Sequence, residues 1–212
     1  GLDVVMKTHP SRKNVLVLPM LAREIINIEF LGKEASALNP EGGANALEAM
    51  LLAFENINSL RRYLKRGAWI NGIIIDGGKV PQVIPAHSSG SFDMRCREDG
   101  YMMELKEKAL NCFKAASLAT GTSLKYAWEE PYTTFKANQA LENIFGSNLE
   151  SLGRKIESYN PDKDLFSCDM GNVSQVVPGL NSWIAVVREG VINHSDAFAA
   201  AAASDAGNRG LI

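Results

Sequence analysis

Histidine and cysteine are scarce in this chain, three of each in 212 residues. The cysteines (Cys96, Cys112 and Cys168) are odd in number, and no pair has C-x-x-C spacing. That argues against a disulfide framework or a thiolate zinc site and points to a reducing, cytoplasmic compartment. No excess charge of one sign is present either. Lys and Arg number 22 against 24 Asp and Glu, a formal net charge of −2, so the balance gives no support to nucleic acid or a membrane surface as partner. The longest uncharged run, Met170 to Val187, contains Asn172, Gln175, Pro178, Gly179 and Asn181 and does not read as a membrane span. No signal peptide is visible, because Lys7, His9 and Arg12 interrupt the opening residues. A first residue of Gly rather than Met suggests a processed product or a piece of something longer. Also missing are G-x-G-x-x-G after a strand, the phosphate-binding G-x-x-x-x-G-K-[ST], G-x-S-x-G and H-E-x-x-H.

What is present is an ordinary globular composition, 46% hydrophobic and 22% charged, in a chain long enough to bury a core without staples. Its middle is strongly periodic. Ile26, Ile28 and Phe30 alternate with polar residues as a half-buried strand does. From about Ala44 to Lys65, apolar residues recur at helical steps, with Gly67 placed to end the helix. Trp69 to Ile75 is a β-branched strand, Ser89 to Arg97 alternates again, Met102 to Ala116 marks a second helix, and Ser123 to Glu129 closes as a strand. The order β-α-β-β-α-β is that of a ferredoxin-like unit, a four-stranded antiparallel sheet with both helices on one face. The flanks read as α/β: a short strand before His9, a second apolar stretch at Val15 to Leu18, a helix over 136–157, a buried strand from Ser182 to Val187, and an alanine-rich last helix capped by Ser195. The expected architecture is therefore an α/β domain, residues 1–20 and 131–212, interrupted by a ferredoxin-like one, residues 21–130.

Few residues stand out for chemistry. His87 sits in a serine-flanked loop, His9 follows a strand and precedes a proline, and His194 opens the last helix. Strand ends of α/β sheets are where active sites collect, but spacing alone does not bring His9 and His194 together. The basic run Arg61 to Arg66 ends a helix, where the dipole favours positive charge. Glu129-Glu130 reads as a solvated turn rather than an acid/base pair.

Resemblance carries the reading further. The stretches GLDVVMKTHP (1–10), GKEASALNPEGGANALEAM (32–50), INGIIIDGGKVPQVIP (70–85) and DMGNVSQVVP (169–178), with the closing NHSDAF (193–198), resemble the zinc-dependent aminoacylase and carboxypeptidase family of metallopeptidases. Within it they are most similar to the amidohydrolase subgroup of p-aminobenzoyl-glutamate hydrolase and related dipeptidases. The resemblance implies a metal-binding catalytic domain interrupted by a ferredoxin-like lid, through which two subunits pair as a homodimer. It implies hydrolysis of the amide bond of an N-acyl or N-aminoacyl amino acid, a small-molecule amide or dipeptide, by a metal-activated water. The cofactor is a divalent metal, Zn2+ first, with Mn2+ or Co2+ as alternatives.

By position, His9 and His194 match histidine metal ligands. The remaining ligands and the general-base glutamate of the family precede Gly1, so the site is incomplete here and the chain alone is expected to be inactive. Two departures stand out. Ser36 occupies the place of the lid histidine that stabilises the oxyanion, which leaves a shorter, neutral donor. Asn71 and Gln82 stand where the subgroup has His and Asn, and Gln82 falls near the substrate. Asn172, in the DMGNVS stretch, is a weaker candidate for substrate contact, against a tight glycine turn with local backbone bonds. The alternative reading is a non-catalytic dimerisation or ligand-binding homologue.

Overall fold

The computed structural model describes residues 1–187, 190, 191, 193 and 195–210. In chain order its elements are β1 (Val5–Ser11), β2 (Ala22–Leu31), β3 (Ala35–Ser36), α1 (Ala46–Arg61), β4 (Ala68–Asp76), β5 (Val83–Ile84), β6 (His87–Cys96), α2 (Asp99–Thr120), β7 (Ser123–Trp128), α3 (Gln139–Ser151), α4 (Met170–Ser174), β8 (Gly179–Ala185), α5 (Asp196–Ala202) and α6 (Asp205–Arg209). They fall into two compact units. One is Gly1–Met20 with Thr134–Ile212, and the other is Leu21–Thr133.

The inner unit is the ferredoxin-like fold. Its sheet runs β4-β6-β2-β7 with every neighbour antiparallel. Strict alternation along β2 and β6 puts Ile26, Ile28, Phe30, Phe92, Met94 and Cys96 on one face. That face packs in one cluster with Ala46, Met50, Ala53 and Ile57 of α1 and Leu105, Ala109 and Phe113 of α2. The Phe92 ring lies 4.8 Å from both Phe54 and Phe113. Phe92 and Phe113, both fully buried, each gain roughly 1.5–3 kcal/mol from burial.

Helix limits follow caps rather than periodicity. α1 starts at Ala46 because the Asn45 side chain accepts the Leu47 and Glu48 amides, and it stops at Arg61, four residues short of the expected Lys65. Gly67, at φ +81°, shapes the turn into β4 instead of ending the helix. α2 does end as its sequence implies, on Gly121 in the left-handed region at φ +67°. Sequence periodicity missed a small arm. The two-residue strands β3 and β5 pair antiparallel, Ser36 opposite Val83 and Ala35 opposite Ile84. Gly32 lies at its root, where an added Cβ would sit 1.9 Å from the Ala44 carbonyl oxygen.

The outer unit is built on a parallel pair, β1 beside β8, in register from Val5–Gly179 to Ser11–Ala185. β1 runs through His9 and Pro10 rather than ending before them. A proline is tolerated on such an edge strand. The Val15 to Leu18 stretch forms no strand and contributes only a bridge from Val15 to Trp183. α3 is shorter than 136–157 because Asn138 caps it and Gly153, at φ +71°, follows its end. The alanine-rich segment makes two helices, since Ser204 accepts the Ala206 amide and starts α6 anew. DMGNVS is a helical turn, α4, not a tight glycine turn. Gly171 is buried in it, and the Ser174 hydroxyl donates to the Gly171 carbonyl at 2.6 Å. No helix among the described residues is long and apolar enough to cross a membrane.

Candidate active site

The parallel pairing of β1 with β8 decides which side chains share a face. Lys7, His9 and Ser11 alternate with exposed Met6 and Thr8, and their register partners are Asn181, Trp183 and Ala185. Lys7, His9, Ser11, Asn181 and Trp183 line a cavity of about 710 Å³, with a wall from Leu165 to Cys168. Phe166 meets Trp183 edge-on at 4.6 Å, and the His9 ring centroid is 6.5 Å from that of Trp183.

His9 is half-buried, and its Nδ1 lies 2.7 Å from the Pro10 carbonyl oxygen. A carbonyl can only accept, so Nδ1 carries the proton and neutral His9 keeps its lone pair on Nε2. A metal-ligating histidine is usually oriented in this way, by donating its other ring nitrogen to a carbonyl. His9 thus fits the role of one ligand. His194 lies outside the described residues. Among the described residues, no three His, Cys, Asp or Glu side chains converge closely enough to hold a metal ion.

The same cavity holds groups that sequence reasoning passed over. Lys7 Nζ donates to Cys168 Sγ at 3.2 Å and lies 3.9 Å from the Asp169 carboxylate, which is 75% exposed. Asn181 is 1% exposed, and among the described residues its Oδ1 has no hydrogen-bond partner; the Ser167 Oγ is likewise buried and unpaired among them. A signal for Asn181 was available, because a carboxamide stands directly before the stretch Ser182 to Val187 read as a buried strand, and β8 begins earlier, at Gly179, and takes it in. Asn172 is exposed on α4 and does not line this cavity.

Ser36 and Gln82 come together in the inner unit. The Ala37 amide donates to the Gln82 carbonyl at 3.0 Å, and both side chains line a shallow groove of about 460 Å³ with Glu34, Leu38 and Val83. Ser36 Oγ accepts the Leu38 amide at 3.3 Å, which leaves its hydroxyl proton for another acceptor. His87 is bound to Asp76 instead, Nδ1 to Oδ2 at 2.8 Å, with Glu29 3.9 Å from Nε2. Hydrogen bonds from the Gly78 amide and then His87 hold the Asp76 carboxyl below its ordinary value.

No protein-family model matches the chain. Individual relatives do. The Xaa-Arg dipeptidase of Mus musculus is 34% identical over 210 residues, 97% of this chain and 48% of that protein. One of the p-aminobenzoyl-glutamate hydrolase subunits of Escherichia coli (strain K12) is 23% identical over 158 residues, 72% of this chain and 32% of that protein. Among solved structures, an aminobenzoyl-glutamate utilization protein from Klebsiella pneumoniae matches with a TM-score of 0.70 at 15% identity, over 86% of this chain and 50% of that one. At that identity the likeness bears on the fold alone. The chain spans about half the length of the Xaa-Arg dipeptidases it matches.

Proposed function

Because this chain belongs to the metal-dependent aminoacylase and carboxypeptidase family, among its dipeptidases and aminobenzoyl-glutamate hydrolases, we propose that it is the carboxy-terminal portion of an amidohydrolase that cleaves N-acyl or N-aminoacyl amino acids. The observation that carries the proposal is the cavity over His9, whose Nδ1–H is committed to the Pro10 carbonyl and whose Nε2 is left for a ligand bond. His9 and His194 are the two metal ligands assigned to this chain, with Zn2+ as first choice and Mn2+ or Co2+ as alternatives. A divalent metal supplies Lewis acidity, polarising the amide carbonyl and making water a stronger nucleophile near neutral pH. This chain's own residues then bind and orient. Trp183 and Phe166 offer an apolar surface to the acyl group. Ser36 and Gln82 are the inner unit's candidate contributions, Ser36 standing in for a histidine as hydrogen-bond donor. Asn172 is a further candidate contact.

We assign the inner unit to pairing of two protomers. Its edge strand β4 exposes Trp69, Ile73 and Ile75, the latter two by more than 60%, which supports strand addition by a second copy. All three cysteines are free thiols, and burial pushes those of Cys96 and Cys112 up. That supports a cytoplasmic protein. A non-catalytic binding module is not favoured, since the relatives are named as hydrolases.

The test is an assay of the complete gene product, loaded with Zn2+, Mn2+ or Co2+, against aminoacyl-arginine dipeptides and p-aminobenzoyl-glutamate. Release of the free amino acid is expected. A folded, metal-loaded protein that turns over none of them rejects the proposal.

A further inference from the structure

Metal ligation leaves part of the His9 cavity unexplained. A buried amide oxygen without a partner costs free energy, and native proteins keep few of them. The Asn181 Oδ1 is such an atom, in a side chain 1% exposed. Its register partner across the parallel pair is Lys7, so the two side chains leave the same face at neighbouring positions. Lys7 is held only loosely. One contact is to a sulfur, a weak acceptor, and the other spans 3.9 Å to a carboxylate 75% exposed, a pair of the kind that contributes little in water. Its side chain is 41% exposed, so the ammonium can exchange these contacts for a better acceptor.

We propose that Lys7 and Asn181 form a recognition pair, in which Lys7 Nζ takes the free carboxylate of an N-acyl amino acid and Asn181 Oδ1 accepts the amide N–H of the same ligand. The pairing rests on the reading of this cavity as the substrate site and adds the two residues that choose the substrate. In an N-acyl amino acid one carbon separates the N–H from the carboxylate, which matches an acceptor and a cation on adjacent strands. The terminal torsion of an asparagine is broad, so its amide turns to meet a donor in the cavity it lines. The acyl group then falls against Trp183 and Phe166, 4.6 Å apart and edge-on. Lys7 and Asn181 touch no reacting atom in this scheme. They set specificity, and Lys7 does so for charge while Asn181 does so for the N–H.

Calorimetric titration of the 212-residue chain without added metal separates the two roles. The probes are hippurate (N-benzoylglycine), hippuramide, which lacks the carboxylate, and N-methylhippurate, which lacks the N–H. The unsubstituted chain should bind hippurate about tenfold more tightly than either analogue, the usual effect of one unmade hydrogen bond to a buried or charged group. Lys7→Met should erase only the discrimination against hippuramide. Asn181→Leu should erase only that against N-methylhippurate. Asn181→Asp, which keeps the size and the acceptor, should retain the preference for N–H and guards against a folding defect in the leucine variant. The pair is overturned if the unsubstituted chain shows no discrimination, or if the variants keep it. A complete gene product that hydrolyses nothing while this discrimination persists rejects the catalytic reading and leaves the pair standing. Turnover without discrimination does the reverse.

Discussion

Asn181 gives a prediction that separates stability from binding. It sits in β8, 1% exposed, with its Oδ1 unpaired. Keeping an amide buried without its hydrogen bond costs about 1–3 kcal/mol. Leucine at 181 removes that cost and adds apolar burial of roughly 1.5 kcal/mol or more. Leucine has the same branching as asparagine and nearly its size, although imperfect fit of the two methyls takes back about 1 kcal/mol. The net expectation is a gain of about 1.5–3.5 kcal/mol for the outer unit, together with the loss of N–H discrimination. Urea unfolding followed by Trp183 fluorescence, in a Trp69→Phe/Trp128→Phe background, reads this unit alone. The midpoint should rise while the slope stays constant. A drop of about 1 kcal/mol or more would show that the carboxamide is paired in the folded protein, and the reasoning from an unpaired oxygen would fail.

Other consequences can be checked independently. Phe92→Ala should destabilise the inner unit by about 3–5 kcal/mol, because Phe92 is fully buried between Phe54 and Phe113; Trp69 and Trp128 fluorescence in urea reads it. Glu142 is 8% exposed with Oε1 unpaired, and burial raises its pKa above the ordinary 4.5. A raised carboxyl favours the folded state below the unfolded value and loses that contribution as pH rises through the folded value. Glu142→Gln should therefore raise the melting temperature at pH 7 relative to its effect below pH 4.5, and an equal effect at both would contradict the assignment. Ser36→Ala should lower kcat of the complete gene product by about a hundredfold or more, since one oxyanion donor is worth about 2.7–4 kcal/mol. An unchanged kcat would remove Ser36 from the reaction.

The inner unit was legible because its signals are local. Alternation in Ile26–Phe30 and Phe92–Cys96 and the helical steps of Met50, Ile57, Leu105 and Phe113 each bury one face, and that fixes the order of elements. The β3–β5 arm was not, because two residues carry no period and the pairing depends on the distant contact of Ala37 with Gln82. His9 was found by resemblance, but its place inside β1 and its bond to Pro10 depend on β8, about 170 positions away in sequence. Lys7 and Asn181 drew no notice because each looks ordinary alone. Only the parallel register makes them neighbours.

The most direct test of the whole account is a metal-loaded crystal of the complete gene product, with the ion located by anomalous scattering. The account predicts density on Nε2 of His9, with Nδ1 still bound to the Pro10 carbonyl. Metal bound elsewhere, with both nitrogens of His9 unligated, would contradict it.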